Sequence, residues 1–313
     1  MKITVDSVKK IFSDGTHNAF SGLCVHKGRY YLVFRSAKGH MSGYAVITVL
    51  ISEDTKSWRR LAVISEGEKR DLRDPKIISF NGNLLVYAAI RDIGLEGRES
   101  IVYEMKENGS FQAHSISGLP PRYWLWALAS HQDKIYGTAY IHTKAEGFAV
   151  RLFNSEDGFK WSEICKFPVS GNETFIDFDI EGNLYGIIRM EAPPFHPYFV
   201  RFPAPVSDKH TISVLPTVFQ GPFIKRLEGG CLLVGRRWDK LDGARRVDML
   251  WLDDSGQLGY IATLPSGGDC SYASYAQTGP KNAIICYYST HEHLSSGSET
   301  GDIYMARLSL GLS

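Results

Sequence analysis

Residues 172–191, NETFIDFDIEGNLYGIIRME, have the pattern of two antiparallel strands joined by a tight turn. Apolar and polar side chains alternate from 175 to 180, residues 181–183 (Glu-Gly-Asn) favour a turn, and residues 184–188 form a nearly continuous apolar run. Alternation with period two, followed by a Gly/Asn turn and a buried run, is typical of a β-hairpin. The segment therefore predicts a hairpin whose second strand ends in a charged residue, Arg189.

The same hairpin pattern occurs six times along the chain. The copies turn at or near Gly28, Gly82, Asp133, Gly182, Gly230 and Lys281. The intervals between these turns are 48 to 54 residues, and a steady period of this length indicates one repeated supersecondary unit.

Weaker apolar runs follow the hairpins, for example residues 44–51 and 58–64 after the first copy. Four strands in a repeat of this size are typical of a propeller blade. The sequence therefore predicts an all-β fold, a six-bladed β-propeller of four-stranded antiparallel blades. The alternatives are five or seven blades, or an irregular β-sandwich or barrel, which also contains many short strands.

The two ends of the chain each contribute a predicted strand. Residues 3–12 (ITVDSVKKIF) precede the first copy, and only one clear strand, Asp302–Leu308, follows the sixth. Because a propeller removes an open edge by completing its last blade with a strand from the other terminus, the N-terminal strand is predicted to close that blade. Residues 1–313 are then one propeller domain.

Composition excludes several classes of function. The net charge of +1 gives no electrostatic footprint for nucleic acid, and no run of eighteen apolar residues predicts a membrane span. The five cysteines are odd in number and form no C-x-x-C pair, so they are predicted to be free thiols in a reducing compartment. The N-terminus does not resemble a signal peptide, so the protein is expected to be cytoplasmic. No cofactor and no metal site are predicted.

Two turns share the pattern S-x-D-x-x-x-W, at residues 52–58 and 155–161, which lie 103 residues apart, or two repeats. An aspartate side chain can accept hydrogen bonds from backbone donors of its turn, and a tryptophan can pack beneath it. The motif resembles the Asp box of sialidases, one residue shorter. It is predicted to be structural.

Charged and aromatic residues recur at the ends of the apolar runs. They include Arg35, His40, Arg73, Asp74, Trp124, Glu173, Arg189, Glu191, Arg236, Arg237, Tyr272, His291 and Glu292. Strand ends on one face of a propeller surround the central axis, so these side chains are predicted to share one pocket. Arg237 is the exception, since it follows Arg236 directly and adjacent strand residues point to opposite sides. The planar guanidinium of arginine suits a carboxylate, so the ligand is predicted to be polar and is expected to be anionic.

At these positions the sequence resembles the six-bladed sialidase-like superfamily. The matching positions are Phe34-Arg35 in the first repeat, Glu173 ahead of Arg189 in the fourth, Arg236 or Arg237 in the fifth, and Tyr272 followed by Glu292 in the last. The resemblance implies that Arg35, Arg189 and Arg236 bind a substrate carboxylate. It also implies that Tyr272 attacks the anomeric carbon with Glu173 as its base, and that Glu292 holds Arg35.

One position departs from this pattern. Sialidases carry an acid/base aspartate in the loop after the first arginine, whereas residues 36–43 here contain no acidic residue. His40 is the proton-handling group in that loop. Asp74, within an Arg-Asp-Pro triplet that also resembles five-bladed glycosidases, is a second candidate, and an Asp74/Glu191 pair is a third possibility.

These observations predict an exo-acting glycoside hydrolase that cleaves a terminal sugar, expected to be anionic, from a small oligosaccharide or glycoside. Arg73, Trp124 and His291 are predicted to line the substrate pocket with the arginines. A carbohydrate-binding propeller without catalysis and a protein-interaction propeller are the alternatives.

Overall fold

The computed structural model describes residues 1–91, 98–145, 147–238 and 243–311. The first half of the chain contains β1 (Lys2–Phe12), β2 (His17–His26), β3 (Arg29–Ala37), β4 (Ala45–Ser52), β5 (Arg59–Ile64), β6 (Asp71–Phe80), β7 (Asn83–Arg91), β8 (Glu99–Met105), β9 (Phe111–Ser115), β10 (Trp124–His131), β11 (Lys134–Thr143), β12 (Gly147–Ser155) and β13 (Ser162–Lys166).

The second half contains β14 (Gly171–Phe178), β15 (Leu184–Met190), β16 (Tyr198–Phe202), β17 (Thr211–Val214), β18 (Gln220–Leu227), β19 (Gly230–Trp238), β20 (Arg245–Asp253), β21 (Leu258–Leu264), β22 (Cys270–Gly279), β23 (Asn282–Ser289) and β24 (Asp302–Gly311). A short 3₁₀ helix (His291–Ser296) precedes β24. The fold is all-β, as predicted.

The strands form antiparallel sheets in sequence order. Strands β10–β13, β14–β17 and β18–β21 each form a sheet of four, and β22, β23 and β24 form a fourth such sheet with β1. Strands β2–β9 form one eight-stranded sheet, whose halves β2–β5 and β6–β9 are joined by a single parallel pair, Ala45 with Asp71. Several four-stranded antiparallel sheets of this kind are consistent with a propeller.

The N-terminal strand lies at the outer edge of the last sheet. It pairs with β24 over its whole length, for example Ile3 with Leu310 and Lys10 with Tyr304. The predicted pairing between the two ends of the chain is therefore present.

The sheets pack face to face, so both faces of a central strand are buried. In β3, Leu32, Val33 and Phe34 have no exposed surface. Leu32 and Phe34 belong to one hydrophobic cluster and Val33 to another, because successive side chains point to opposite faces. Burying each such side chain contributes about 1.5–3 kcal/mol.

We call β2, β6, β10, β14, β18 and β22 the first strands, where β6 begins the second half of the eight-stranded sheet. These first strands make contact with one another in turn. β2 contacts β6, β6 contacts β10, and the series continues through β14, β18 and β22 back to β2. These first strands therefore surround a common centre, which is where the site residues meet.

The two Ser/Asp turns have the predicted geometry. Asp157 Oδ1 accepts hydrogen bonds from the amides of Phe159, 2.7 Å, and Lys160, 2.8 Å. Asp54 Oδ1 does the same for Lys56 and Ser57, at 2.8 and 3.0 Å. Both turns lie at the outer sides of their sheets, away from the first strands.

All five cysteines are free, and three of them are buried. The described part of the chain contains no helix with the length and hydropathy of a membrane span.

Candidate active site

Each of the six first strands is interrupted by a bulge at an equivalent position. The register shifts lie between Ala19 and Gly22, Arg73 and Lys76, Leu125 and Ala127, Asn172 and Phe175, Gln220 and Phe223, and Ser271 and Ser274. The extra residues include Phe20, Asp74, Trp126, Glu173 and Tyr272. Bulges bend a strand and re-aim side chains, so this regular set delivers one side chain from each of several sheets to the centre.

Several of these bulges hold an L-residue in the left-handed region. The φ angles of Phe20, Asp74 and Tyr272 are +61°, +49° and +52°, and Ser271 has φ +126°. Such conformations cost on the order of 1–3 kcal/mol each and persist only where the surroundings enforce them. Four of the ten non-glycine residues with positive φ in the described chain therefore lie at these bulges, and the other six lie in turns and loops.

Tyr272 lies in a charged hydrogen-bond network. Its hydroxyl donates to Glu173 Oε2 at 2.9 Å and accepts from Arg189 Nη1 at 3.0 Å. Arg189 also pairs with Glu173 and with Glu191, the latter at 2.8 Å, and its Nε donates to Gln220 Oε1 at 2.5 Å. Burial, and then the charge of Glu173, raise the pKa of Tyr272 well above its ordinary value. The phenol is therefore neutral, with a carboxylate in position to take its proton.

Gly221 leaves room for this contact. It occupies the bulge of β18, between the sheets that carry Glu173 and Tyr272, with φ +51°. A Cβ at this position would lie 3.1 Å from Tyr272 Cε2 and 3.0 Å from Ser271 Oγ. A glycine here allows the tyrosine to reach across to the glutamate.

Aromatic rings surround the tyrosine. Tyr288 stacks on Tyr272 with ring centroids 6.1 Å apart, and Phe20 and Trp126 approach it edge-on at 4.9 and 5.8 Å. Trp124 packs against Trp126 at 5.1 Å. Phe20, Trp126 and Tyr288 are each 2% exposed or less, so these rings hold the Tyr272 phenol in a fixed orientation.

Asp74 occupies the bulge of β6 and is buried, with 4% of its surface exposed. Its Oδ1 has no hydrogen-bond partner among the described residues. Burial raises the pKa of Asp74, and the positive charges of Arg73 and Lys76 oppose that shift. Lys76 donates to the carbonyl oxygen of Asp74 at 3.1 Å and lies 4.3 Å from the ring centre of Trp126. Asp74 is thus a carboxyl group that tends to keep its proton.

Lys76 follows the bulge of β6, and its side chain lines a cavity of about 170 Å³ on the other side of the ring of first strands. Burial lowers the pKa of Lys76 to about 8, against the opposing charges of Asp74 and Glu173. A buried cation therefore underlies both carboxyl groups.

The predicted arginines each have an acidic partner. Arg35 has no exposed surface, and its Nε donates to Asp71 Oδ1 at 2.8 Å. Arg73 Nη1 lies 3.5 Å from Asp71 Oδ2, and Arg236 Nη1 lies 3.3 Å from Asp269 Oδ1. These pairings neutralise much of the positive charge that the sequence suggested.

His40 also lies beside the ring of first strands. Its Nδ1 is 2.8 Å from Asp269 Oδ2, its ring is 5.6 Å from that of Phe20, and 41% of its side chain is exposed. Burial opposes ionisation of Asp269, but hydrogen bonds from His17 and His40 and the charge of Arg236 hold its pKa below the ordinary value.

Two predicted residues have other partners. Glu292 pairs with Lys10 at 2.7 Å and accepts from Tyr304 at 2.8 Å, so the prediction that it holds Arg35 is wrong; Asp71 does so instead. His291 bonds Ser289 at 3.0 Å within the same segment. Arg237 differs from Arg236 as expected, because its side chain turns to Asp248 at 2.8 Å.

Sequence reasoning missed Asp71, Lys76, His17 and Gly221. Asp71 stands two residues before Arg73, a spacing that places both on one face of a strand. The bulges also have a local signal, since Asp74 and Gly221 both precede a proline, which cannot donate to a sheet ladder.

No protein-family model matches this sequence, and no curated protein matches it. Solved structures match over nearly its whole length. A protein of unknown function from Dyadobacter fermentans superposes with a TM-score of 0.82 at 16% identity, covering 99% of each chain.

Two enzymes are also similar. The α-L-arabinanase of Penicillium chrysogenum, complexed with arabinobiose, has a TM-score of 0.69 at 12% identity over 98% of each chain. The Trypanosoma rangeli sialidase, as a covalent intermediate with difluorosialic acid, has a TM-score of 0.66 at 11% identity, over 96% of this chain and 59% of the sialidase. The fold is therefore that of the sialidase-like, glycoside hydrolase-like β-propellers.

Proposed function

We propose that this protein is an exo-acting glycoside hydrolase in which Tyr272 is the nucleophile and Glu173 its base. The observation that carries the proposal is the hydrogen bond from the Tyr272 hydroxyl to Glu173 Oε2, at 2.9 Å, with Arg189 donating to the same hydroxyl. Tyrosine nucleophiles are a known exception to the two-carboxylate mechanism of glycosidases. The charge of Arg189 stabilises the phenolate character that develops as the proton leaves.

In the first step, Tyr272 Oη bonds to the anomeric carbon while the bond from that carbon to the leaving oxygen breaks. The phenolic proton moves to Glu173, and an acid protonates the leaving oxygen. In the second step, water attacks the anomeric carbon, the bond to Oη breaks and Glu173 returns its proton to Tyr272. The deprotonated acid takes the proton from water, so one water is consumed and the anomeric configuration is retained.

Asp74 is the proposed acid. It is buried, its Oδ1 accepts no hydrogen bond from the described residues although Arg73 Nε lies 4.0 Å away, and burial raises its pKa against the charges of Arg73 and Lys76, so it holds a proton at higher pH than an exposed aspartate. His40 is the second candidate because Asp269 orients its ring through Nδ1 and leaves the other ring nitrogen for a leaving group.

The charge distribution favours an uncharged sugar over the anionic one predicted from sequence. A carboxylate clamp needs guanidinium edges that face the ligand, whereas Arg35 is fully buried against Asp71, and Arg189 and Arg236 already contact carboxylates. Because the similar arabinanase binds arabinobiose, a terminal L-arabinofuranose is the first sugar to test.

The finer architecture forms part of the same proposal. Counting the halves of the eight-stranded sheet as two blades gives six blades in one domain, closed by β1, and the cyclic contacts of the first strands support this count. The turns at residues 52–58 and 155–161 are proposed to be short Asp boxes on the outer rim.

The test is hydrolysis of a panel of aryl glycosides: arabinofuranosides, rhamnosides, uronides and sialosides. We expect cleavage of an uncharged glycoside, and covalent labelling of Tyr272 by the matching 2-deoxy-2-fluoro glycosyl fluoride, detected by peptide mass spectrometry. Sugar binding without cleavage of any member would contradict the enzyme proposal. Label on Glu173 instead would move the nucleophile to that carboxylate.

A further inference from the structure

Three metal-ligand side chains meet beside the proposed sugar pocket. His17 comes from β2, His40 from the loop after β3, and Asp269 from the residue before β22. His17 Nε2 and His40 Nδ1 lie 3.1 and 2.8 Å from the same oxygen, Asp269 Oδ2, and all three atoms lie within 4.8 Å of one another. None of these residues has a required part in the proposed Tyr272/Glu173 step.

The three side chains are held in place by their surroundings. Only 1% of His17 is exposed, and its ring lies 6.0 Å from that of Tyr288 and 5.6 Å from that of His40. The other oxygen of Asp269 accepts from the hydroxyl of Tyr288 at 2.8 Å. Hydrogen bonds to the outer atoms of a ligand orient it toward a metal. Asp269 has this support, whereas the outer nitrogen of His17, Nδ1, is buried without a hydrogen-bond partner among the described residues and is held by packing alone.

The backbone at His40 is anchored as well. Its amide donates to Glu299 Oε2 at 2.8 Å, and its carbonyl accepts from Arg73 Nη2 at 3.3 Å. The loop that carries His40 is therefore fixed to the last sheet and to the ring of first strands.

We propose that His17 Nε2, His40 Nδ1 and Asp269 Oδ2 bind one divalent transition-metal ion, zinc first. Bonds of about 2.0–2.1 Å place neighbouring ligand atoms about 2.9–3.4 Å apart, close to the separations from Asp269 Oδ2. Two imidazoles and one carboxylate suit zinc and other first-row metals, whereas calcium and magnesium prefer oxygen ligands. With three protein ligands, a further position stays open for water or a sugar hydroxyl.

The nearby charges set the expected affinity. Arg236 lies 3.3 Å from the far oxygen of Asp269 and repels a cation. We therefore expect a micromolar rather than a nanomolar dissociation constant for zinc. A metal on His40 Nδ1 would also leave Asp74 as the acid of the proposed reaction.

The test uses the full chain, stripped with a chelator and dialysed, and titrated with zinc chloride by calorimetry. We expect one equivalent to bind. The visible spectrum with cobalt(II) should show d–d bands without the intense near-ultraviolet thiolate band, which excludes the five cysteines as ligands. His40→Ala and Asp269→Asn should weaken binding at least tenfold, and thermal unfolding in the presence of chelator should verify that both variants are folded.

His114→Ala is the matched control, since His114 is a partly buried histidine next to Glu104, on β9 at the opposite edge of the eight-stranded sheet from β2. It should bind zinc like the unmodified chain. Less than one equivalent bound by the unmodified chain, or unchanged affinity in His40→Ala, would overturn the proposal and assign the triad to hydrogen bonding alone. Because zinc binding can be measured equally in Tyr272→Phe, its outcome is independent of whether the glycosidase proposal holds.

Discussion

Asp74 and Asp157 have the same side chain in opposite settings. Asp157, in an outer turn, accepts two backbone hydrogen bonds, and although burial opposes ionisation, these bonds hold its pKa below the ordinary value. Asp74, at the centre, has a side-chain oxygen that accepts no hydrogen bond, a backbone φ in the left-handed region and a raised pKa. The outer aspartate stabilises the fold, whereas the inner one costs stability, which is typical of residues kept for chemistry.

The largest expected effect is at the centre. Tyr272→Phe should lower kcat by about 10⁴-fold or more, because no covalent intermediate can form. Steady-state hydrolysis of the best aryl glycoside measures this. Tyr275→Phe, on the same strand with its hydroxyl bonded to Gln277, is the control and should keep full activity. A Tyr272→Phe variant with near-normal kcat would remove Tyr272 from the mechanism.

Asp74→Asn should lower kcat by about 10²–10⁴-fold, the contribution of a general acid. In the unmodified chain, activity should fall as pH rises through the raised pKa of Asp74, and this alkaline limb should be absent from the residual activity of the variant. A pH–rate profile of both proteins is the measurement. If the limb persists in Asp74→Asn, the acid is another group, and His40→Gln should then be tested in the same way.

The same substitution should stabilise the protein at neutral pH by on the order of 1 kcal/mol. A carboxyl group whose pKa is raised on folding contributes its full stability only below its unfolded value. That contribution is lost as pH rises through the folded pKa, so the advantage of Asp74→Asn should vanish toward pH 3. Urea unfolding at several pH values tests this, and a destabilised variant at pH 7 would contradict the contrast with Asp157.

Gly221→Ala should have an intermediate effect. A Cβ would press on Tyr272 and Ser271, and a left-handed φ costs an alanine about 1–2 kcal/mol. We expect a loss of that size in the free energy of unfolding and a lower kcat, because Tyr272 is displaced from Glu173. Gly229→Ala, in a turn with φ +78° and open space around it, should lose stability but not activity.

Asp157→Ala should have the smallest effect and only on stability. The turn loses two hydrogen bonds that water can partly replace, so we expect about 0.5–1.5 kcal/mol from urea unfolding. Activity at 25 °C should be unchanged. A loss of activity in the folded variant would show that the outer turns influence the site.

Local patterns predicted the strands well because alternation and turns depend on near neighbours. Leu32 to Phe34 and the hairpin at Gly182 are examples. The partners across the centre were not predictable in this way. Glu292 has a suitable sequence spacing, but a 3₁₀ helix and Lys10 of the first strand hold it elsewhere.

Asp71 shows the same limit, since its contact with Arg35 depends on how two halves of a sheet meet at Ala45. The strand-end pattern placed Tyr272, Glu173 and Arg189 in one predicted pocket, but their separate roles came from a resemblance and not from any pattern in the residues. Their contacts depend on the bulges of β14 and β22, which hold Glu173 and Tyr272.

The regular placement of the bulges gives the molecule a set of equivalent positions around its centre. Each first strand presents a different side chain at its bulge, while its ladder with the following strand continues on both sides of the bulge. Phe20 and Trp126 occupy two of these positions with aromatic rings. Both rings are buried in the central hydrophobic cluster, so a substitution at either position has to preserve their volume.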